Sequence, residues 1–296
     1  MDEQRKNEIP ISSLEEFIKA INENCIDKRR LFLESMDDVW FRGESKIHPK
    51  VIPSLFRDDF NENIPKGISV TKESNLIEMA FQSFPEVFSK CNNAIERLVT
   101  MQHYTLPTRL LDVTKNPLVA LFFACFGNEG EDGRVLFTKH NKLEESDLNI
   151  VATIIECWGN NNSISIDGIY EFLKSKDLVN QNENDFKSYV TNIVTSPLFY
   201  LPKYNNQRII NQRGAVICAP LFEFDEEVKL FQKKAKDLSE FFCNKYFRII
   251  GGAKKTILRE LDNYGINEAV IYPEPEHQMQ YIKNYYTPTE KWRLDI

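Results

Sequence analysis

Residues 101–124, MQHYTLPTRLLDVTKNPLVALFFA, constrain the fold of this chain more than any other segment. The end of the segment is wholly apolar, yet hydrogen-bonding side chains are spaced through its first half. Burial of such groups costs free energy unless each one finds a partner. The segment therefore predicts either a polar network that braces the core or the floor of a functional site. The side chains concerned are Gln102, His103, Tyr104, Arg109, Asp112 and Thr114.

The composition is that of an ordinary globular protein. The chain has 296 residues, of which 42% are hydrophobic and 27% are charged. This length suits one large domain with an appendage, and we divide it into an N-terminal helical extension, residues 1–32, and a main domain, residues 33–296. The net charge of −7 provides no overall attraction to nucleic acid or to anionic membranes, although it leaves room for a local basic groove.

Neither a membrane span nor a metal site is expected. The longest apolar run, 118–126, is far shorter than the roughly 20 residues that a spanning helix needs. The six cysteines are dispersed and mostly in apolar settings, which indicates reduced thiols of a cytoplasmic protein. No CxxC pair occurs and the four histidines are far apart in sequence, so no zinc-ligand spacing is present.

Periodicity and turn residues predict a mixture of helices and strands. Helices are predicted from residues 12–14 onward and at 71–101 (interrupted at Pro85), 116–126, 166–193 (with a loop at 175–185), 254–265 and 278–285. Strands are predicted at 39–41, 110–113, 134–139, 151–158, 214–220, 241–250 and 269–272, with a loop at 221–225. Strands and helices do not alternate regularly, so we predict an α+β fold with a mixed, mostly antiparallel central sheet and flanking helices.

The standard phosphate-binding and hydrolase motifs are missing from the sequence. It contains no P-loop, no GxGxxG, no GxSxG and no HExxH. Gly251 and Gly252 precede a predicted helix whose N-terminus could bind an anion, but a simple strand-to-helix turn is the favoured interpretation.

Arg42 is the first candidate site residue. It follows an apolar strand and precedes Gly43, a position from which its planar guanidinium can project into a cleft and bind phosphate or carboxylate. The alternative is an internal ion pair with Asp112 or Glu44.

Five further side chains are candidate site residues, and four of them have two alternative interpretations. His103 is either catalytic or a satisfied structural histidine, and the structural role is the commoner one. Arg109 and Asp112 either serve a site or form buried pairs. Thr114 is predicted as the N-cap of the helix that begins near residue 116. Gln212 either presents its amide to a ligand or satisfies neighbouring backbone groups.

These motifs together resemble the FRG domain family, over about residues 33–285. The resemblance lies in Trp-Phe-Arg-Gly at 40–43, Gln-His-Tyr at 102–104, Pro-Thr-Arg-Leu-Leu-Asp at 107–112, Thr114, Asn-Pro at 116–117, Ala-Leu-Phe-Phe-Ala at 120–124, and Arg208, Gln212 and Gly214. Two positions depart from the family pattern: Thr105 stands where glycine is usual, and Val113 where tryptophan is frequent.

Members of this family are mostly prokaryotic, and some occur in phage-defence or toxin–antitoxin settings. The resemblance extends to ADP-ribosyltransferases. Arg42 and Gly43 resemble the strand end whose arginine holds an NAD phosphate in those enzymes. Asp112–Thr114, followed by the apolar helix, is similar to their second core element. Their catalytic glutamate has no counterpart here, since Gln212 stands near its place.

The leading hypothesis is therefore an ADP-ribosyltransferase-like toxin or anti-phage effector that transfers ADP-ribose from NAD, without a metal, to RNA as the favoured acceptor or to protein. A cognate antitoxin protein is an implied partner. In this hypothesis Arg42 and Arg109 hold the pyrophosphate, Tyr104 stacks on nicotinamide, and Asp112 polarises the attacking group or orients the ribose. The implied catalytic residues are Arg42, Tyr104, Asp112 and Gln212, and the implied NAD-binding residues are Arg42, Gln102, His103, Tyr104, Arg109 and Thr114.

Two other classes of function fit the same residues. A non-catalytic sensor would use the polar cluster to bind a nucleotide or a phage component, and the missing glutamate favours this class. A hydrolase or nuclease would use His103 and Asp112, but the sequence shows no carboxylate cluster for metal-assisted cleavage.

Overall fold

The computed structural model describes residues 7–25, 39–57, 69–139, 145–157, 163–178, 183–202, 207–225, 230–233 and 237–286. In these residues the central element is a seven-stranded sheet with the order β1-β10-β4-β2-β3-β7-β6, beside a three-stranded sheet with the order β5-β9-β8. Within the described sheets only β1 and β10 pair in parallel. The predicted α+β class with a mostly antiparallel sheet is confirmed.

The strands are β1 (Glu8–Ile11), β2 (Val39–Glu44), β3 (Leu110–Thr114), β4 (Gly133–Lys139), β5 (Ser163–Ser165), β6 (Leu198–Tyr200), β7 (Gly214–Cys218), β8 (Phe222–Asp225), β9 (Leu230–Lys233) and β10 (Tyr246–Ile249). The helices are α1 (Leu14–Asn24), α2 (Ser69–Ser83), α3 (Pro85–Phe88), α4 (Ala94–His103), α5 (Pro117–Cys125), α6 (Glu145–Cys157), α7 (Ile166–Ser175), α8 (Glu183–Thr195), α9 (Gln207–Gln212), α10 (Lys254–Asn263), α11 (Glu268–Ile271) and α12 (Pro275–Tyr286). Among the helices that the structure describes, none combines the length and apolar character that a membrane span requires.

Helix α5 lies directly on strands β2 and β4, and two glycines make this close approach possible. A Cβ atom at Gly43 would stand 1.9 Å from the carbonyl oxygen of Ala120, and one at Gly133 would stand 2.2 Å from that of Ala124. Both obstructing atoms belong to the helix backbone, which cannot move aside as a side chain can. The glycine after Arg42 is therefore a packing requirement of the fold.

A second group of helices, α2, α4, α6, α7 and α8, packs over the other half of the same sheet face and shares one apolar cluster with β6 and β7. Helix α6 belongs to this group, so the strand predicted at 151–158 is wrong up to Cys157, and residue 158 lies outside the described residues. Leu148, Val151 and Ile155 are buried at helical spacing. A short apolar run buried on most sides carries no periodicity that separates a strand from a helix.

Two smaller predictions are also wrong. Residues Glu268–Ile271 form helix α11 instead of a strand, because Asn267 Oδ1 accepts a hydrogen bond from the backbone N–H of Val270 (3.0 Å) and starts a helical turn. The predicted loop at 221–225 contains β8, which pairs with β9. Its alternating sequence, Phe-Glu-Phe-Asp, is compatible with a strand once that partner is present.

The N-terminal segment joins the main sheet. Helix α1 begins where it was predicted, with Ser13 at its N-cap, and the Oγ of Ser13 accepts from the N–H of Glu16 at 3.2 Å. The Glu16 carboxylate returns to the backbone N–H of Ser12, one residue before the cap (2.7 Å). Strand β1 pairs with β10, and α1 packs into the apolar cluster that also holds α5 and α10. The division of the chain at residue 32 stays a prediction.

Candidate functional site

A cavity of about 400 Å³ lies where the central sheet opens between β2 and β3. Strand β2 pairs with β4 along its whole length, and β3 pairs with β7 along its whole length. Between β2 and β3 the register is limited to Phe41 opposite Thr114. Residues from β2, β3, α4, α5 and α9 line the cavity, among them Arg42, Gln102, His103, Asp112, Thr114, Phe123, Arg208 and Gln212.

Arg42 reaches across this opening. Its Nη1 donates a hydrogen bond to the backbone carbonyl of Asp112 (2.9 Å), and its Nε donates to Oε1 of Glu44 (3.0 Å). The predicted alternative of an ion pair with Glu44 is therefore present. Nη2 of Arg42 makes no hydrogen bond within the described part of the chain. The guanidinium is thus held in a fixed orientation while one edge remains available to the cavity.

Glu44 is the buried carboxylate that fixes Arg42 and its neighbour Arg134. Arg134 Nε donates to Oε2 of Glu44 at 2.8 Å. Burial alone would raise the pKa of Glu44, but the two guanidinium groups more than offset it and hold that pKa below its usual value. Glu44 is therefore a charged anchor between two arginines.

Asp112 faces the cavity from the middle of β3. It is exposed, whereas its neighbours Leu111 and Val113 point to the opposite face and are buried. Gln102 Nε2 donates to Asp112 Oδ1 (2.6 Å), and Gln102 Oε1 accepts from the hydroxyl of Thr108 (2.6 Å). Because Thr108 fixes which end of the amide points outward, Gln102 holds one oxygen of Asp112. The other oxygen has no donor among the described residues.

Glu274 is a residue that the sequence analysis missed. Its Oε1 lies 3.7 Å from Nδ1 of His103 and 3.6 Å from Nη1 of Arg208, both of which line the cavity. Both of its carboxylate oxygens are buried without a hydrogen-bond partner in the described structure. No sequence signal pointed to it, because it follows α11, far from the motif at 101–124.

His103 has a lowered pKa for two reasons. Burial disfavours its charged form, the nearby Arg208 adds to that effect, and Glu274 opposes both. Its ring also contacts the ring of Tyr104 edge-on, with centroids 5.1 Å apart. A neutral imidazole beside a carboxylate is a group that can accept a proton at neutral pH.

Thr114 and Gln212 are joined through the backbone. The Thr114 hydroxyl donates to the carbonyl of Gln212 (2.5 Å) and accepts from the N–H of Asn116 (2.9 Å). The prediction of Thr114 as the cap of α5 is wrong, because Asn116 Oδ1 accepts from the N–H of Leu118 (3.0 Å) and stands at the N-cap. The Gln212 amide donates to the carbonyl of Ile271 (3.1 Å). Of the two predicted alternatives for Gln212, this is the one in which its amide satisfies a backbone group.

The structure places Arg109 and Tyr104 away from the cavity lining. Arg109 is 1% exposed, and its Nε donates to both carboxylate oxygens of Glu73 on α2 (2.8 and 3.0 Å). Its partner is thus Glu73 and not Asp112. Tyr104 is 57% exposed at the end of α4.

Thr105 ends helix α4 in a conformation that favours glycine. Its φ is +63°, its N–H donates to the carbonyl of Gln102 (3.0 Å), and the N–H of Leu106 donates to that of Met101 (3.0 Å). These two bonds define a Schellman motif, in which the left-handed position is usually glycine. The departure from the family pattern noted at Thr105 therefore falls on a strained residue.

Replacement of Thr105 by glycine is expected to stabilise the protein. A left-handed conformation costs a residue with a Cβ roughly 1–2 kcal/mol, and the greater unfolded-state entropy of glycine offsets part of the gain. We expect a net increase of about 0.5–1 kcal/mol in the free energy of unfolding, measured by urea denaturation. Thr105→Ala, which keeps the Cβ, serves as the control, and equal stability of the two variants would contradict the explanation.

The described residues contain no group of three or more His, Cys, Asp or Glu side chains arranged to hold a metal ion. The side chains that line the cavity carry arginine, amide, hydroxyl, imidazole and carboxylate groups. These groups suit the binding of an anionic, hydroxyl-rich molecule.

Comparison with known proteins bears on the part of the chain that contains β2, α4 and β3. The model of the FRG domain matches residues 37–133, a range that includes Arg42, Gln102, His103 and Asp112 and excludes Gln212 and Glu274. A search of the curated proteins and a search of the solved structures each gave no match. Residues 37–133 of this chain thus belong to the FRG domain family.

Proposed function

We propose that the cavity binds NAD and that the protein is an ADP-ribosyltransferase-like effector. The observation that carries the proposal is the convergence of Arg42, Gln102, His103, Asp112, Thr114 and Gln212 on one cavity where the sheet opens. These residues come from four separate elements in both halves of the chain. Such an assembly of polar groups in a concave site is the usual setting of ligand binding.

The charge of the cavity supports a phosphate-bearing ligand. Three arginines line it, Arg42, Arg57 and Arg208, against the single carboxylate of Asp112 among the described lining residues. The groups that line the cavity thus carry a net positive charge, in contrast to the −7 of the whole chain, while Glu44 and Glu274 partly neutralise Arg42 and Arg208 from behind the lining. A cleft of one sign with low-dielectric walls concentrates ligands of the other sign. In the proposal Arg42 binds the pyrophosphate through its available edge.

Asp112 is proposed to orient the ribose. Gln102 holds one carboxylate oxygen, which leaves the other to accept hydrogen bonds from ribose hydroxyls. A fixed negative charge there also favours positive charge developing at the ribosyl carbon. NAD supplies an activated carbon, because its bond to nicotinamide breaks to release a neutral leaving group. The proposal gives Arg109 no contact with NAD, since its guanidinium is committed to Glu73.

In the test, purified protein and NAD labelled on the adenylate are incubated together with RNA, with DNA or with cell-lysate protein in separate reactions. Transfer of label and release of nicotinamide are measured. RNA is the expected acceptor. Failure of NAD to bind by calorimetry, together with no transfer to any acceptor, would overturn the proposal.

Arg42→Ala is expected to lower nicotinamide release by about 100-fold, since it removes a charged contact to the pyrophosphate. The matched control is Arg134→Ala, because Arg134 binds the same Glu44 carboxylate and does not line the cavity. Both variants are expected to lose a similar amount of thermal stability, but only Arg42→Ala loses activity beyond that. Parallel losses of folding and activity in both would indicate a purely structural arginine.

A second candidate function, a non-catalytic binding module, is favoured by Gln212. An amide stands near the position that the resemblance gives to the catalytic glutamate, and it donates a hydrogen bond to the carbonyl of Ile271. In the same experiment this function predicts that NAD or another nucleotide binds by calorimetry without any nicotinamide release.

A further inference from the structure

We infer that Glu274 positions His103 as the proton acceptor of the cavity. The inference rests on the proposed NAD chemistry and supplies the carboxylate that Gln212 cannot provide. Glu274 lies outside the 37–133 segment, so it belongs to the part of the chain that completes the site around the FRG domain.

The burial of Glu274 is the first argument. Both carboxylate oxygens are buried and neither has a hydrogen-bond partner among the described residues. A buried carboxylate without hydrogen bonds is costly, so its position needs nearby positive or donor groups. Two such groups among the described residues are His103, whose Nδ1 lies 3.7 Å from Oε1, and Arg208, whose Nη1 lies 3.6 Å from it.

The second positive group beside this carboxylate is itself packed in place. Arg208, the second partner of Glu274, packs with its guanidinium 4.8 Å from the ring centre of Tyr272, and Tyr272 in turn stacks on His277 (4.6 Å between ring centres). The 3.7 Å separation is longer than a hydrogen bond, and such contacts commonly tighten when ligand binds. The arrangement is thus ready to form a His103–Glu274 hydrogen bond.

The ring nitrogens of His103 then have distinct roles. A carboxylate beside Nδ1 favours the tautomer that carries its proton on Nδ1, which leaves Nε2 as the acceptor. Among the described residues, the charged groups that act on the His103 pKa are Arg208 on α9 and Glu274 ahead of α12. Arg208 favours the neutral ring, and Glu274 preserves its basicity.

The proton transfer fits the balance of the proposed reaction. A nucleophilic oxygen or nitrogen of the acceptor forms a bond to the ribosyl carbon, and the bond from that carbon to nicotinamide breaks with its electron pair on nicotinamide. The proton of the nucleophile passes to Nε2 of His103. Glu274 does not touch the reacting atoms in this scheme, so it is a positioning residue.

The test compares Glu274→Gln with Glu276→Gln, an exposed carboxylate in α12 that serves as the matched control. The pKa of His103 is measured by NMR of its imidazole proton in the full-length protein, assigned with His103→Asn. Loss of a facing negative charge is expected to lower the His103 pKa by about one pH unit in Glu274→Gln. No change is expected in the control.

The second measurement is the pH profile of nicotinamide release. A base must be neutral to act, so the acidic limb is expected to follow the His103 pKa and move to lower pH in Glu274→Gln, with the maximal rate about tenfold lower. Glu274→Asp, which keeps the charge, is expected to restore part of the pKa and of the rate. If Glu274→Gln does not fold, Glu274→Asp and His103→Asn carry the test, and an acidic limb retained in His103→Asn overturns the inference.

The outcomes separate the inference from the proposed function. An unchanged His103 pKa, or a lowered pKa with an unchanged rate profile, overturns the inference while leaving NAD turnover intact. Absence of nicotinamide release by the wild-type protein overturns the proposed function and removes the catalytic role of the pair. In that case a lowered His103 pKa in Glu274→Gln still supports the pairing itself.

Discussion

Arg109→Met is expected to lower the free energy of unfolding by about 3–5 kcal/mol, because it leaves a buried carboxylate without its partner. Arg109 is 1% exposed and binds both oxygens of Glu73, which is also buried. Its Nη1 donates to the backbone carbonyl of Pro220 (3.0 Å), so the same substitution also frees a buried acceptor. Chemical denaturation followed by circular dichroism measures the loss.

The double variant Arg109→Met/Glu73→Leu is expected to recover most of that stability. Removing both charges eliminates the unpaired carboxylate and fills the space with apolar atoms, and such replacements of buried ion pairs are often neutral or stabilising. A double-mutant cycle with Glu73→Leu alone yields the coupling between the two residues. A double variant no more stable than Arg109→Met would show that the interaction with Pro220, and not the ion pair, dominates.

Gly43→Ala is the other substitution with a large expected effect, a loss of about 3 kcal/mol in the free energy of unfolding. The added Cβ would lie 1.9 Å from the carbonyl oxygen of Ala120, and only a movement of α5 away from β2 relieves the clash. Because Gly43 follows Arg42, this movement also displaces the guanidinium at the cavity. Thermal denaturation and, under the proposed function, nicotinamide release are both expected to fall.

Gly252→Ala provides the control for this effect. A Cβ at Gly252 meets no atom within 4 Å, so this exposed glycine tests the substitution without the clash. We expect a change of about 0.5 kcal/mol or less at Gly252. Similar losses at both positions would contradict the packing explanation for the glycine after Arg42.

The position of the candidate site could be predicted from the sequence, but most of the hydrogen bonds and ion pairs of its residues could not. The motifs located Arg42, Gln102, His103, Asp112 and Gln212, and the structure brings all of them to one cavity. Apart from the Arg42–Glu44 pair, which was one of the predicted alternatives, their hydrogen-bond partners were not predictable, because those partners depend on how distant elements pack. The ion pair of Arg109 with Glu73 and the contact of His103 with Glu274 are examples, since neither partner belongs to the motif of its arginine or histidine.

The sequence alone determined several local structural features, namely helix ends and short strands. The cap at Ser13, the helix break at Pro85, the helix that starts at Asn-Pro, and the strands around 39–44 and 110–114 all depend on neighbouring residues, and all are present in the structure. The mixed, mostly antiparallel fold class followed from the same local patterns.

The tertiary structure decided those features for which local sequence patterns allow more than one conformation or partner. The apolar run at 151–157 is a helix because the space beside α2 and α4 accommodates one, and no periodicity in a run buried on most sides distinguishes the two forms. The opening between β2 and β3 depends on strand register, which pairing partners fix and local sequence does not. For the same reason the carboxylate beside His103 comes from residue 274, since only the packing of α9, α11 and α12 carries it to the cavity.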